Sequence, residues 1–469
     1  MSQRNARKAE SSIRKPGVDY FKLEENRASL RTEVLGGVTT FATMSYIIFV
    51  QPVVLGAAGM DPGAVFTSTC IITALSTVLM ALFANYPVAV APAMGHNFFF
   101  AFTVVLGMGI PWQVALGAVF ISGIVFIATS AFSFREQIVE AVPESLKSSI
   151  AAGIGLLITL IGMEWAGVVR LDANTFVRLG DLRSPAALVA LLGLVATAIL
   201  IARKVRGAIL FGILAAALAA IPAGIVKMPG AIVSLPPSIA PTLLQLDVVG
   251  AIKQDLFAVI FVFFFLDLFD TVGSLIGIAK QSGLMKDGRL PRAGRALLAD
   301  AIGTTGSALA GNTTMVSYIE SASGVAAGAR TGVAALVVAA LFLVAMFFSP
   351  LVAAISGGHP ITETVLIGGQ QIERTFVLYP ITSPALIVVG ALMIRAVRDI
   401  AWDDFTESFP AFLTIVLMPL TFNITDGIAF GFIAYALLKI VTGRAREAHY
   451  LVYIFAALFV LRYAIPGLH

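Results

Sequence analysis

The stretch that decides the fold is FFFLDLFDTVG, residues 263–273, where Asp267 and Asp270 interrupt an otherwise apolar run. A second stretch answers it: GNTTMVSYIESASGV, residues 311–325, carries Glu320 among small and polar residues. Both lie within a succession of apolar runs of helical length, so these carboxylates sit where a bilayer would be. An acid inside a bilayer costs on the order of 3 kcal/mol or more unless it meets a partner or a water-filled cavity, so such a position is read first as a functional site.

Composition supplies the bilayer. Hydrophobic residues make up 58% of the 469 positions and charged residues 12%, and the mean hydropathy is +0.93. A soluble chain of this length has no core large enough to bury that much apolar surface. Apolar runs such as Val34 to Leu55, Pro185 to Ile201, Leu256 to Leu266 and Ala334 to Phe348 predict about fourteen membrane spans. Leu and Ala dominate them and no period-two alternation appears, so the expected fold is all-α and polytopic, with no barrel strands.

The basic residues predict orientation. With the N-terminus in the cytoplasm and spans alternating, Arg4, Arg7, Lys8, Arg14, Lys15, Lys22, Arg27 and Arg31 fall inside. So do Arg135, Lys147, the Arg203, Lys204 and Arg206 cluster, Lys280 to Arg295, Arg330, Arg395, Arg398, Arg444 and Arg446. The opposite side keeps only Arg170, Arg178, Arg183, Lys227, Lys253 and Arg374, the asymmetry of a multi-pass protein of a cytoplasmic membrane. The net charge of +4 is therefore topological; no basic patch on a soluble face points to nucleic acid. The polar, basic first thirty residues do not resemble a cleavable signal peptide. Cys70 is the single cysteine, which excludes a disulfide within the chain and gives no thiolate metal site. Trp112, Trp165 and Trp402 fall at expected span ends and are read as interfacial anchors.

A proline-rich segment from Lys227 to Asp255, with Pro229, Pro236, Pro237 and Pro241, is too irregular to span. The expected organisation is a cytoplasmic tail over 1–32, a first seven-helix repeat over 33–226, an extracytoplasmic linker over 227–254, a second repeat over 255–442, and a C-terminal segment over 443–469. Two halves with odd span counts insert with opposite orientation, which is an inverted repeat, and such repeats place substrate at interrupted helices near the midplane. The third span of each half is interrupted. YPVAVAPAMGHNFFFAFTVVL, residues 86–106, holds Pro87, Pro92 and Gly95, and ALAGNTTMVSYIESASGV, residues 308–325, holds Gly311, Asn312, Thr313 and Thr314. Each reads as a short strand followed by a half-helix. Broken backbone at membrane depth is tolerated only against protein or a lined cavity, and a half-helix N-terminus turns positive partial charge into that cavity. Further on, residues 409–435 read as two helices joined at a polar turn of Asn423, Thr425, Asp426 and Gly427, and the run Tyr450 to Ile465, containing Arg462, is either an interfacial helix or an extra crossing.

Asp267 and Asp270 are three apart, on one helical face that Thr271 and Ser274 continue. Two acids held together in a low-dielectric site repel and are desolvated, which suits one of them to take up and release a proton. Asp267 is expected both to contact substrate and to couple the proton, with Asp270 in support or tying broken backbone together. Glu320, expected within the second half-helix, can accept two parallel hydrogen bonds from a planar ligand with adjacent N–H donors. Asn97, at the start of the other half-helix, offers both donor and acceptor, and Thr313 and Phe98 complete the expected substrate contacts. His96 is either a proton carrier or a capping residue.

The strings LDLFDTVGSLIGIA (266–279), LLADAIGTTGSALAGNTTMVSYIESASGVAAGARTGVAALV (297–337) and FPAFLTIVLMPLTFNITDGIAFG (409–431) resemble the AzgA-type purine permeases of the nucleobase–cation symporter-2 family, also called nucleobase/ascorbate transporters. MDPGAVFTSTCI (60–71) and APAMGHNFFFAFTVV (91–105) match its early part. The resemblance runs from Phe21 to Val441. It implies fourteen helices as seven plus seven inverted, a core of helices 1 to 4 and 8 to 11, and a gate of the others. It also implies proton-coupled uptake of adenine, guanine or hypoxanthine by an elevator-like movement, often in a homodimer. By position, the family's helix-8 acid falls on Asp267, its neighbouring acid on Asp270, its helix-10 glutamate on Glu320 and its helix-3 asparagine on Asn97. The chain departs from the family where Gly95-His96-Asn97 replaces Gly-Leu-Asn and where Gly311-Asn312-Thr313-Thr314 replaces Gly-Thr-Ser-Thr. Both departures bear on cargo, leaving other planar solutes such as xanthine or uracil in play.

The expected function is thus a proton-coupled purine base permease with no metal or organic cofactor. An anion carrier of similar architecture is the rival, since half-helix N-termini suit anions; three acids near the site oppose it. An intramembrane hydrolase lacks its sequence signatures, with no G-x-G-D, G-x-S-G or H-E-x-x-H string.

Overall fold

A computed structural model describes residues 20–130, 142–172, 175–254, 256–282, 285, 290–367 and 370–464. The expectations placed on Arg4 to Lys15, Arg135, Lys286, Arg289 and His469 lie outside the described residues.

The chain begins with a broken first span, α1 (Leu30–Met44) and α2 (Ile47–Ala57), followed by α3 (Pro62–Ala84). Strand β1 (Val90–Pro92) leads into α4 (Met94–Phe98), which runs on as a π-helix over Phe99–Gly107. Then come α5 (Trp112–Ser130), α6 (Glu144–Trp165), a hairpin of β2 (Val169–Asp172) and β3 (Phe176–Leu179), α7 (Pro185–Ala202) and α8 (Ala208–Ala220). Sequence places the boundaries. Ser29 and Thr32 form a reciprocal cap at α1. Asp61 accepts from the Ala64 amide with Pro62 in the first turn of α3, and Asn85, at φ 51°, ends that helix, all as capping preferences predict.

The proline-rich linker is irregular apart from the short α9 (Val248–Lys253). The second half repeats the order of the first: α10 (Phe257–Ser282), α11 (Ala293–Leu309), strand β4 (Met315–Ser317) and half-helix α12 (Ser321–Ala326). It continues with α13 (Gly332–Ala345) and α14 (Ser349–Ser356) as one bent span, the hairpin of β5 (His359–Ile367) and β6 (Gln370–Leu378), α15 (Ser383–Met393), α16 (Phe405–Thr421) and α17 (Ile424–Val441). Among the described residues, seven helical segments precede the linker and seven follow it, each set with a strand and half-helix in third place. Eight of the described helices are long and apolar enough to cross a membrane, and four more are apolar but shorter. Together these are twelve apolar segments against about fourteen expected spans; the interrupted span at α12 is not among them, since it is made partly by extended backbone. The chain is a multi-pass, mostly helical membrane protein.

Two groups of helices pack separately. The first span, α3, α5, α10, α11, α12 and α13 contact one another, and α6, α7, α8, α15, α16 and α17 form the second group. Small residues let backbones approach. A Cβ on Gly36 would stand 2.9 Å from the Gly324 carbonyl, so α12 lies directly on α1, and one on Gly155 would stand 2.8 Å from the Gly390 carbonyl, joining α6 to α15.

The C-terminal run forms a helix, α18 (Tyr450–Ala464), seated against α17. Trp112 and Trp402 lie at helix ends, but Trp165 is an interior residue: only 5% exposed, its ring packs 4.7 Å from Tyr379 and 6.0 Å from Phe102. Tyr379, just after β6, and Phe98 and Phe102 of the interrupted span surround the ring, so the interfacial-anchor reading does not hold there.

Candidate functional site

Strands β1 and β4, contributed by the interrupted span of each half, pair antiparallel with Val90 opposite Ser317 and Pro92 opposite Met315. The ladder is extended by Ala93 N to Thr314 O and Tyr318 N to Ala89 O, both 2.9 Å. Each strand thereby satisfies the backbone groups that the other would leave bare in a hydrocarbon setting, and α4 and α12 start from its two ends.

Side chains fix this centre from beneath. Gln51, in α2, donates to Asn312 Oδ1 at 2.7 Å and reaches Asn97 Oδ1 and Thr313 Oγ1 at 3.2 Å each. Asn97 Nδ2 returns a bond to Gln51 Oε1, and the Thr313 hydroxyl donates to Asn97 Oδ1. Asn312 Nδ2 donates to Thr69 Oγ1 at 2.8 Å. Asn97, Thr313 and Asn312 are fully buried, so the amide expected to meet substrate is engaged by protein. Phe98 is buried as well, its ring stacked 5.4 Å from Phe102.

The acids divide by environment. Asp267 is 1% exposed; it accepts from Thr304 Oγ1 at 3.2 Å through Oδ2, while Oδ1 has no hydrogen-bond partner among the described residues. Asp300, on α11, is buried beside it, accepting from the hydroxyl of Thr271 and from Ser317 Oγ at 3.4 Å. Asp270, one turn from Asp267, is exposed into a cavity of about 580 Å³. Gly95, His96 and Ile319 line that cavity from the first helix group, and Ile154 and Met393 from the second. Both ring nitrogens of His96 lack a partner among the described residues.

Glu320 is half-buried and occupies the residue just before α12, where a helix had been expected to contain it. Three residues of the half-helix turn, Tyr318 to Glu320, are used to leave the strand, which shortens the helix to six residues. From that position Glu320 Oε1 accepts from the Tyr46 hydroxyl at 2.8 Å, and Tyr318 Oη donates to the Pro92 carbonyl at 2.6 Å. Asp270 thus lines the cavity directly and Glu320 follows Ile319, which also lines it, with the buried pair of Asp267 and Asp300 behind. That arrangement can bind a planar solute through N–H donors and hold a proton nearby. Among the described residues no cluster of three or more His, Cys, Asp or Glu could hold a metal ion.

Sequence reading missed Asp300, Gln51 and Tyr46. Asp300 and Thr304 repeat the i, i+4 spacing of Asp267 and Thr271, a signal present within the quoted motif. Gln51 stands alone in an apolar run just before Pro52, the mark of a polar group that needs a buried partner.

Comparison with known proteins gives the context. The sequence profile of the "Permease family" matches residues 31–362. A Methanocaldococcus jannaschii permease is 48% identical over 95% of this chain and 97% of its own. The guanine/hypoxanthine permease PbuG of Bacillus subtilis is 43% identical over 94% and 98%, and the adenine permease AdeQ of Escherichia coli 42% over 94% and 95%. Among solved structures, the transmembrane domain of a cyanobacterial bicarbonate transporter, BicA, superposes with a TM-score of 0.60, covering 87% of this chain and 97% of that one at 16% identity. At that identity the likeness concerns the fold.

Proposed function

The chain belongs to the Permease family and is a membrane transporter, and we propose that its cargo is a purine nucleobase carried together with a proton across a cytoplasmic membrane. The observation that carries this reading is Glu320, held by Tyr46 at the tip of a broken span, beside Ile319, which with Asp270 lines the cavity. A purine offers adjacent N–H and ring-nitrogen groups in one plane, and a carboxylate accepts two such donors side by side. Relatives named for guanine, hypoxanthine and adenine point to the same cargo.

In this reading Glu320 binds the base and Asp270 shares its contacts. Asn97, Thr313 and Phe98 act from behind, keeping the two half-helices in register. Asp267, paired with Asp300, takes up the coupling proton, and His96, on the same side of the cavity as Asp270, lies near the base. Proton and base bound in the same state shift the carrier between its conformations through differential affinity, as any population shift requires. The helix group holding β1 and β4 then moves against the group holding α6 and α15, in an elevator-like step. The asymmetry of the basic residues supports a cytoplasmic N-terminus, and in this reading the cavity, which Glu144, Lys147 and Asp399 also line, opens inward. A homodimer suits this division of labour, with the second helix group as its fixed part.

The test is uptake of radiolabelled hypoxanthine, adenine and guanine by purine-transport-deficient cells expressing the chain, with and without a protonophore. Protonophore-sensitive uptake of at least one base is expected. Absence of uptake from protein shown to reach the membrane overturns the cargo, and competition by sulfate but not by free bases would favour an anion carrier.

A further inference from the structure

The C-terminal helix α18 carries a charge that the transport site does not use. Its inner face packs on α10 and α17 through phenylalanines, with ring centroids 4.9 Å apart for Phe261 and Phe455 and 6.1 Å apart for Phe432 and Phe459. Its outer face, with Ile454, Leu458 and Leu461, is exposed and apolar, a surface for lipid. At the seam with α10 runs a groove of about 310 Å³, lined by Phe257, Phe261, Phe455, Leu458, Phe459 and Arg462.

Arg462 is only 8% exposed, and its Nη1 is buried without a hydrogen-bond partner among the described residues. It forms none of the ion pairs found among those residues. The acid closest to its helix turn, Asp426, instead accepts from the Tyr463 hydroxyl at 2.7 Å. That bond also fixes depth. Asp426 lies in the first turn of α17, and Phe257 is the first residue of α10, so Arg462 sits near the end of these spans, at headgroup level. Apart from the Tyr463 ring, 5.7 Å from it, this guanidinium meets no partner at Nη1 among the described residues; it matches a phosphate oxygen pair in geometry and charge, and the aromatic groove beneath it matches an acyl chain.

We infer that this groove binds a phospholipid of net negative charge, with Arg462 on the headgroup phosphate and one acyl chain along Phe257, Phe261 and Phe459. Charge complementarity selects this occupant: a second copy of the chain would leave the buried guanidinium unpaired unless it brought an acid of its own.

The experiment uses the full chain, purified and delipidated in detergent, given equal amounts of dioleoylphosphatidylglycerol and dioleoylphosphatidylcholine, and read by native mass spectrometry. Phosphatidylglycerol adducts are expected at about fivefold the phosphatidylcholine level, the discrimination a single basic residue confers. Arg462→Gln removes the preference and Arg462→Lys keeps part of it. Leu458→Trp, which fills the groove and leaves the charge, lowers adducts of both lipids; it also serves if Arg462→Gln fails to accumulate. Equal adducts on the wild-type chain, a preference that survives Arg462→Gln, full adducts on Leu458→Trp, or a lipid-free dimer that covers the groove would each overturn the inference.

Discussion

Asp267 and Asp300 face each other across the α10–α11 interface, each accepting a hydroxyl from the threonine one turn beyond the other: Thr304 donates to Asp267 and Thr271 to Asp300. The crossed arrangement gives each acid one threonine hydroxyl, and Asp300 a second hydroxyl from Ser317 at 3.4 Å. Fully satisfying a buried carboxylate takes more than Asp267 receives, and its Oδ1 has no hydrogen-bond partner among the described residues. A site so left under-bonded is suited to a proton, and Ser317 Oγ, which reaches Asp300 from β4, connects it to the paired strands.

Asp267→Asn and Asp300→Asn both abolish accumulation of base against its gradient if this pair carries the proton. Exchange of labelled for unlabelled base, which needs no net proton movement, is expected to persist in at least Asp300→Asn. Counterflow in proteoliposomes beside concentrative uptake in cells separates the two readouts. Full accumulation by both variants would remove the pair from coupling.

Glu320→Gln keeps size and removes the charge. Hydrogen bonds to a charged group are worth about 1.5–3 kcal/mol, so base affinity is expected to fall roughly 10- to 150-fold. Tyr46→Phe deletes one donor that positions Glu320 and leaves the carboxylate, so a fall of roughly fivefold is expected. Equilibrium binding of tritiated base to purified protein measures both, and a larger effect for Tyr46→Phe would contradict the order.

Gln51 connects α2 with both interrupted segments, so Gln51→Leu strands the amides of Asn97 and Asn312. Each buried polar group left unsatisfied costs about 1–3 kcal/mol, and a melting temperature lower by roughly 5 °C is expected for the purified protein. Asn97→Ala is expected to behave alike. The added stabilisation that saturating base gives the wild-type chain should survive in both variants; its loss in Asn97→Ala alone would return Asn97 to the ligand.

The membrane fold was readable from apolar length, and the two interrupted spans from Pro87, Pro92 and Gly311, because these features are local. The partition of the acids was not. Asp267 and Asp270 share one face by spacing, yet α11 covers Asp267 while Asp270 meets the cavity, and only the packing of a distant helix decides which is which. Asn97 illustrates the same limit: nothing in its spacing points to Gln51, 46 positions earlier, as its hydrogen-bond partner. Glu320 was placed within a turn, since its role depends on local chain direction.

The last prediction concerns acid stability at the end of the second helix group. Arg444 pairs with Asp404 at 2.7 Å and with Glu447 at 2.8 Å. Bonds from Thr406 first, and then from Arg444, lower Asp404 from its ordinary 3.8 to about 2, and Arg444, then Lys439, lower Glu447 from 4.5 to about 2. A depressed carboxylate stabilises the folded chain fully above its unfolded value and loses that contribution as pH falls through the folded one. The wild-type melting temperature should therefore exceed that of Arg444→Gln by a constant margin from pH 8 to about 5, and the margin should close between about pH 4 and 2. These groups are in contact with solvent, so 1 M salt should shrink the margin as well. A margin that grows on acidification would mean that Arg444 acts through something other than these two acids.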